Sequence, residues 1–160
     1  MKKVIVIDID NCWMDSRLWL LEVPLGSKDE RVWDTFYKKV YLCKPNIPFI
    51  QDVTTLISEM NLFPIFVTSR SEYIKSSTIL QIERSSSLKV GETCSLYMRK
   101  KDIDYRSSDK VKRDIIKKLM NDYEIVYCID DDDKNLSMFK ELNIDTVIRY
   151  DIDKHDYERV

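Results

Sequence analysis

Asp8 and Asp10 stand two residues apart at the end of the apolar run Val4-Ile5-Val6-Ile7. Four consecutive β-branched residues read as a strand buried on both faces, as in a parallel sheet. Ligands of open α/β sheets bind at the carboxyl ends of such strands. Two carboxylates crowded there repel each other and lose hydration unless a cation or a shared proton compensates. The pair alone reads equally as a metal-assisted site or as an acidic surface turn, so the other strand ends must decide. Phe66-Val67 runs into Thr68-Ser69-Arg70, and Val126-Tyr127-Cys128-Ile129 runs into Asp130-Asp131-Asp132-Asp133. Lys112 opens the helical pattern that precedes the second of these. On a parallel sheet Asp8, Asp10, Thr68, Asp130 and Asp131 converge at one edge. They would supply an in-line carboxylate nucleophile, a second carboxyl group as acid/base, hydroxyl and amide donors, a cation, and further carboxylates for Mg²⁺. That inventory suits phosphoryl transfer.

Five short β-type segments span 4–8, 64–68, 94–98, 125–130 and 146–150. Between them, Ile50, Val53, Leu56, Ile57 and Met60 recur at helical spacing, as do Val111, Ile115, Ile116 and Leu119. Leu136, Phe139 and Leu142 mark a shorter helix that Asn143 would cap at its C-terminus. Asp132 and Asp133 fit its N-cap and first turn. Alternating strands and helices predict an α/β Rossmannoid three-layer sandwich with a mostly parallel sheet. Its expected strand order is 3-2-1-4-5. The alternation breaks over 12–47, where Trp13, Trp19, Trp33, Phe36 and Tyr37 concentrate and 31–40 patterns as a short amphipathic helix. This insertion after the first strand would stand over the active edge, as a small cap or lid or as a second small core. Residues 1–160 are read as one domain, and His155 as part of a C-terminal tail.

Composition narrows the classes. A chain of 160 residues with 44% hydrophobic and 34% charged residues suits one soluble domain with a sizeable core. A net charge of −2 gives no global drive toward nucleic acid, so any such contact must come from local patches such as Arg99-Lys100-Lys101. Four cysteines without CxxC spacing and a single histidine argue against a clustered zinc site and disfavour His-dependent triads. Only two glycines, Gly26 and Gly91, exclude GxGxxG and P-loop motifs. No membrane segment or signal peptide is read, no protein partner is evident, and free thiols point to a reducing cytoplasm.

These motifs carry a resemblance. Asp8-x-Asp10 after strand one, Thr68 after the second, Lys112 and then Asp130-Asp131 follow the order of phosphatases of the haloacid dehalogenase superfamily. The order argues against a receiver domain, whose phosphorylated acid follows the third strand, here ending in Arg99. A finer likeness runs through Trp33-Asp34-Thr35-Phe36-Tyr37, Lys44-Pro45-Asn46-Ile47-Pro48, Val67-Thr68-Ser69-Arg70 and Met98-Arg99-Lys100-Lys101. It continues through Asp104-Tyr105-Arg106-Ser107-Ser108-Asp109 and Val111-Lys112. Over about 4–150 the chain resembles the 3′-phosphatase domain of bacteriophage polynucleotide kinase–phosphatases and their stand-alone phage relatives.

The resemblance implies that Asp8 forms an aspartyl-phosphate and that Asp10 protonates the leaving alkoxide, then activates water. Thr68 and the Ser69 amide would hold phosphoryl oxygens, and Lys112 would neutralise charge. Mg²⁺ would be bound by Asp8, the Asp10 carbonyl and Asp130, with Asp131 ligating through water or orienting Lys112. Arg70, Arg99 and Arg106 would bind substrate, surface ion pairing being their alternative. The implied substrate is a phosphorylated polynucleotide end, and the setting a phage protein in the host cytoplasm. A phosphatase of free nucleotides or small metabolites is the first alternative, and a weakly active binding protein of the same fold the second. Asn11 and Cys12 replace the usual Gly and Thr, Ser69 stands where Gly is usual, and Lys44 where an acid often precedes the proline.

Overall fold

The computed structural model describes residues 1–101 and 104–160. The first strand, β1 (Lys2–Ile7), is the buried centre of the sheet: none of Val4, Ile5, Val6 and Ile7 exposes more than 1% of its surface. Strand side chains alternate between faces. Ile5 and Ile7 pack with Trp13, Phe49, Ile50 and Val53 on one side. Val4 and Val6 pack with Ile116, Leu119, Leu136 and Phe139 on the other. Each aliphatic side chain so buried contributes about 1.5–3 kcal/mol, and β1 serves both layers at once.

After β1 the chain enters the insertion. Two short strands, β2 (Met14–Asp15) and β3 (Lys44–Pro45), pair antiparallel and form its stem. Between them lie α1 (Arg17–Leu20) and α2 (Glu30–Lys38), the latter capped by the Asp29 carboxylate accepting from the Arg31 N–H at 3.0 Å. The indole of Trp19 stacks on Phe36 with ring centres 4.3 Å apart, and both join the core that holds Trp13 and Phe49. Much of the aromatic content of the insertion is therefore packing.

The remaining elements alternate as expected. They are α3 (Ile47–Met60), β4 (Phe63–Ser71), α4 (Lys75–Ser85), β5 (Ser95–Arg99), α5 (Ser108–Asp122), β6 (Tyr123–Asp130), α6 (Asp133–Glu141), β7 (Thr146–Asp151) and β8 (Asp156–Arg159). Asn61 and Asn143, at φ 50° and 58°, turn the chain out of α3 and α6 in the left-handed region that Asn tolerates. The sheet order is β5-β4-β1-β6-β7-β8. Its first five strands are parallel and reproduce the expected 3-2-1-4-5, with α3 and α4 against one face and α5 and α6 against the other. The sixth is an addition: the chain end, expected as a tail, returns as β8 antiparallel to β7. His155 makes the turn at φ 47°, with Nδ1 2.9 Å from the Tyr150 hydroxyl. Among the described residues no helix is long and apolar enough to cross a membrane.

Candidate active site

Strands β4, β1 and β6 are neighbours, so their carboxyl ends deliver Thr68, Asp8 and Asp130 to one place. The Asp8 N–H donates to the Ile129 carbonyl at 3.0 Å, which carries the β1–β6 pairing up to Asp8 itself. From the first turns of α5, Lys112 reaches in, almost wholly buried. Its ammonium donates to Asp8 Oδ1 at 2.7 Å and to Asp130 Oδ2 at 2.6 Å. Burial alone would lower the Lys112 pKa, but the charges of Asp130 and Asp8 outweigh it and hold the group above its usual range. Asp130 also accepts from the Asp132 N–H at 3.1 Å and from Asn135 Nδ2 at 3.2 Å.

Negative charge is in excess here. Burial, then repulsion from Asp130, pushes the Asp8 carboxyl well above the ordinary carboxylate range, with Lys112 offsetting part of the effect. Burial and Asp130 likewise push Asp131 up to about 7. Ligand atoms of Asp8, Asp131 and Cys12 lie within 4.8 Å of one another. The Cys12 thiol is raised far above its usual pKa by burial and by Asp8, so it stays protonated and is a poor metal ligand. What remains is a set of carboxylate oxygens in want of a cation, and that donor chemistry fits Mg²⁺. The sequence pattern offered Asp131 as a ligand through water or as the residue that orients Lys112; the structure gives the Lys112 contact to Asp130, and places Asp131 beside Asp8.

The second aspartate of the opening pair has separate company. Asp10 is gripped by Arg70, whose Nε lies 3.0 and 3.1 Å from the two carboxylate oxygens and whose Nη2 lies 2.7 Å from Oδ1. Ser16 Oγ donates to the same Oδ1 at 2.6 Å. Arg70 is itself anchored: Nη1 donates to Gln81 Oε1 at 2.6 Å and to Thr78 Oγ1 at 3.2 Å, and the guanidinium lies 5.0 Å from the Trp19 ring centre. Burial works against its charge and Asp10 more than restores it. Asn11 takes φ 61°, and its Oδ1 accepts from the Ser16 N–H, which fixes the turn carrying Asp10.

Thr68 is buried, and its Oγ1 accepts from the Arg70 N–H at 3.1 Å, leaving its own O–H to donate. Arg99 Nε donates to the Ser69 carbonyl at 2.9 Å, and its Nη1 donates to the Asp104 and Arg106 carbonyls. Arg99 thus ties the Thr68-Ser69-Arg70 segment to the loop before α5. Arg106 pairs at the surface with Asp104 and Asp114, each at 2.8 Å. Sequence reasoning missed Ser16, Gln81, Asn135 and Asn46. Asn46 Nδ2 donates to the Cys12 carbonyl at 2.8 Å and to the Tyr150 hydroxyl at 3.0 Å. Gln81 and Asn46 meet Arg70 and the Cys12 carbonyl only through the fold; Ser16 and Asn135, five or six residues from their partners, came nearest to being legible.

Residues 28–153 match the family described as the polynucleotide kinase PNKP phosphatase domain. Among solved structures, a chain of the Pnkp1/Rnl/Hen1 RNA repair complex superposes with a TM-score of 0.70 at 16% identity, covering 93% of this chain and 42% of that one. A putative beta-phosphoglucomutase from Thermotoga maritima superposes at 0.58 and 15% identity, covering 92% of this chain and 84% of that one. At such identities the likeness is one of fold, and this chain spans less than half the length of the Pnkp1 complex chain. No curated protein matches by sequence. The family match covers most of the chain and the described sheet sets an acidic site at its strand ends, so the chain belongs to the PNKP phosphatase domain family of the haloacid dehalogenase superfamily.

Proposed function

We propose that the chain is a Mg²⁺-dependent phosphomonoesterase that works through a phosphorylated Asp8 and removes 3′-phosphates from polynucleotide ends. The carrying observation is the buried contact of Lys112 with both Asp8 and Asp130 at the ends of adjacent strands. A dianionic phosphate cannot approach a bare carboxylate in a site this dry; compensating charge must already be in place. Lys112 supplies part of it from within the protein. Asp8, Asp131, Asp130 and the Asp10 carbonyl would hold Mg²⁺, which supplies the rest and draws charge from the phosphoryl oxygens.

Asp8 attacks phosphorus while Thr68 Oγ and the Ser69 N–H hold phosphoryl oxygens. Asp10 gives its proton to the departing 3′-alkoxide, then takes one from the water that hydrolyses the acyl-phosphate. Arg70 and Ser16 fix the Asp10 carboxyl so that both transfers occur from one position, which makes Arg70 a positioning residue rather than a direct substrate contact. Arg99 does the same for the Ser69 peptide by holding its carbonyl.

The protein should hydrolyse an aryl phosphate with added Mg²⁺, lose turnover with EDTA, regain it on Mg²⁺ addition, and lose it wholly as Asp8→Asn. Absence of turnover by the native protein with Mg²⁺ would remove the enzymatic reading. A 3′-phosphorylated oligonucleotide should then be a better substrate than a nucleoside 3′-phosphate; equal rates would retire the polynucleotide end as substrate.

A further inference from the structure

His155 is the only histidine of the chain, and no step of the proposed reaction uses it. It sits at the turn between β7 and β8 with 43% of its side chain open to solvent. From there a line of hydrogen bonds runs inward through buried residues. His155 Nδ1 lies 2.9 Å from the hydroxyl of Tyr150, and Asn46 Nδ2 lies 3.0 Å from the same hydroxyl. Asn46 Nδ2 also donates to the Cys12 carbonyl at 2.8 Å, and the Asn46 N–H donates to the Trp13 carbonyl at 2.9 Å. Two successive carbonyls of the turn after Asp10 therefore hang on Asn46. Donor and acceptor types give the line one direction. An amide nitrogen only donates, so its two hydrogens go to Cys12 and to the Tyr150 oxygen. Among the described residues the Tyr150 O–H then has one acceptor, His155 Nδ1, which must carry no proton. Burial holds the Tyr150 phenol above its ordinary pKa, so the O–H stays a donor. The ring proton is left on Nε2, which faces Asp52 Oδ2 at 3.3 Å.

We propose that His155 and Tyr150 are positioning residues for the turn that carries Asp10, and that protonation of His155 loosens this turn by drawing the Tyr150 oxygen away from Asn46. It rests on the reading of Asp10 as the acid/base group of a phosphatase. A proton on Nδ1 sets two donors against each other. The Tyr150 O–H loses its acceptor inside the protein, and the imidazolium competes with Asn46 for one oxygen. The other groups around the ring are placed differently. Asp52 on α3 faces Nε2 and also accepts from the Tyr157 hydroxyl on β8 at 2.8 Å. The Tyr150 and Tyr157 rings stand 5.8 and 5.7 Å from the imidazole by centres. On its own turn are Asp151, Asp153, Lys154 and Asp156. Asp151 accepts from the Asp153 and Lys154 N–H groups, and Asp153 pairs with Arg17 of α1 at 2.7 Å. Of these groups only Tyr150 leads to the turn after Asp10.

The single histidine makes the test direct. In untagged protein its ring C–H resonances titrate without overlap from another imidazole and give the His155 midpoint by NMR. The Asn46 side-chain amide pair, identified by its absence in Asn46→Ser, should shift through the same midpoint. With saturating Mg²⁺, kcat for p-nitrophenyl phosphate should fall about three- to tenfold as pH drops through that midpoint, with KM changed less than about twofold. The step is smaller than the roughly hundredfold loss from a full 1 Å misplacement, because Arg70 and Ser16 still hold the Asp10 carboxylate. His155→Gln offers Tyr150 an acceptor and Asp52 a donor from an amide that does not titrate. Its kcat profile should lack this step; steps common to both proteins belong to the acidic site. Identical profiles, or an Asn46 amide that ignores the His155 midpoint, overturn the proposal and leave the phosphatase reading intact. An Asn46 titration that His155→Gln abolishes, without turnover by the native protein, keeps the hydrogen-bonded control of the turn and removes the phosphatase.

Discussion

Charge is shared out differently around the two aspartates that open the site. Asp8 divides the single ammonium of Lys112 with Asp130, and Asp131 adds further negative charge nearby. Asp10 has the whole Arg70 guanidinium, together with the Ser16 hydroxyl. Residues two apart in sequence thus sit in separate electrostatic settings, the separation that the proposed mechanism requires if one is to act as nucleophile while the other handles protons. Arg70 does this through shape as well as charge, since its planar fork contacts Asp10 and its far edge is pinned by Gln81 and Thr78. Arg70→Lys keeps the charge and loses the fork. The expected result is a fall in kcat on an aryl phosphate of about 10–100-fold from misplacement of the acid/base group, with KM changed less than about threefold. A large rise in KM with kcat preserved would show instead that Arg70 grips the substrate directly.

At the scale of elements, the turn after β1 must hold Asp10, Asn11 and Cys12 while the insertion leaves and returns. Asn46, at the returning end, donates to the Cys12 carbonyl and the Tyr150 hydroxyl, so one amide ties this turn to β7. Asn46→Ala leaves that carbonyl buried without its partner. It should cost about 1–3 kcal/mol in urea unfolding, a loss that an unchanged midpoint would contradict. The parallel strands themselves are legible in the sequence, because buried β-branched runs and intervening helical periodicity are local signals and the crossover rule orders them. Lys112 is legible through its register with the motifs around it. The Asp10–Arg70 pairing is not, since sixty residues separate the partners and no periodicity links them. Ser16 and Gln81 lie only six and eleven residues from Asp10 and Arg70, but no periodicity links either to its partner.

At the scale of the whole molecule, β8 shows what a pattern-based reading overlooks. All four of its residues are exposed, so Asp156–Arg159 offers no hydrophobic alternation, and the strand exists because it pairs with β7. That pairing covers an edge that would otherwise present a row of unpaired backbone groups. It also folds aromatic surface inward: Tyr157 lies 5.0 Å from Tyr150 and 6.2 Å from Phe49 by ring centres, and its hydroxyl donates to Asp52 at 2.8 Å. Removing 156–160 would expose the β7 edge and strip cover from Tyr150, whose hydroxyl accepts from Asn46. The acidic centre lies on β1, β4 and β6, with β7 between β6 and the lost strand. The truncated protein should therefore unfold at lower urea and self-associate on size-exclusion chromatography, while monomer that remains folded still hydrolyses an aryl phosphate. Loss of turnover in a fully folded monomer would show that β8 supports the site itself; an unchanged urea midpoint with no self-association would show that the edge needs no cover.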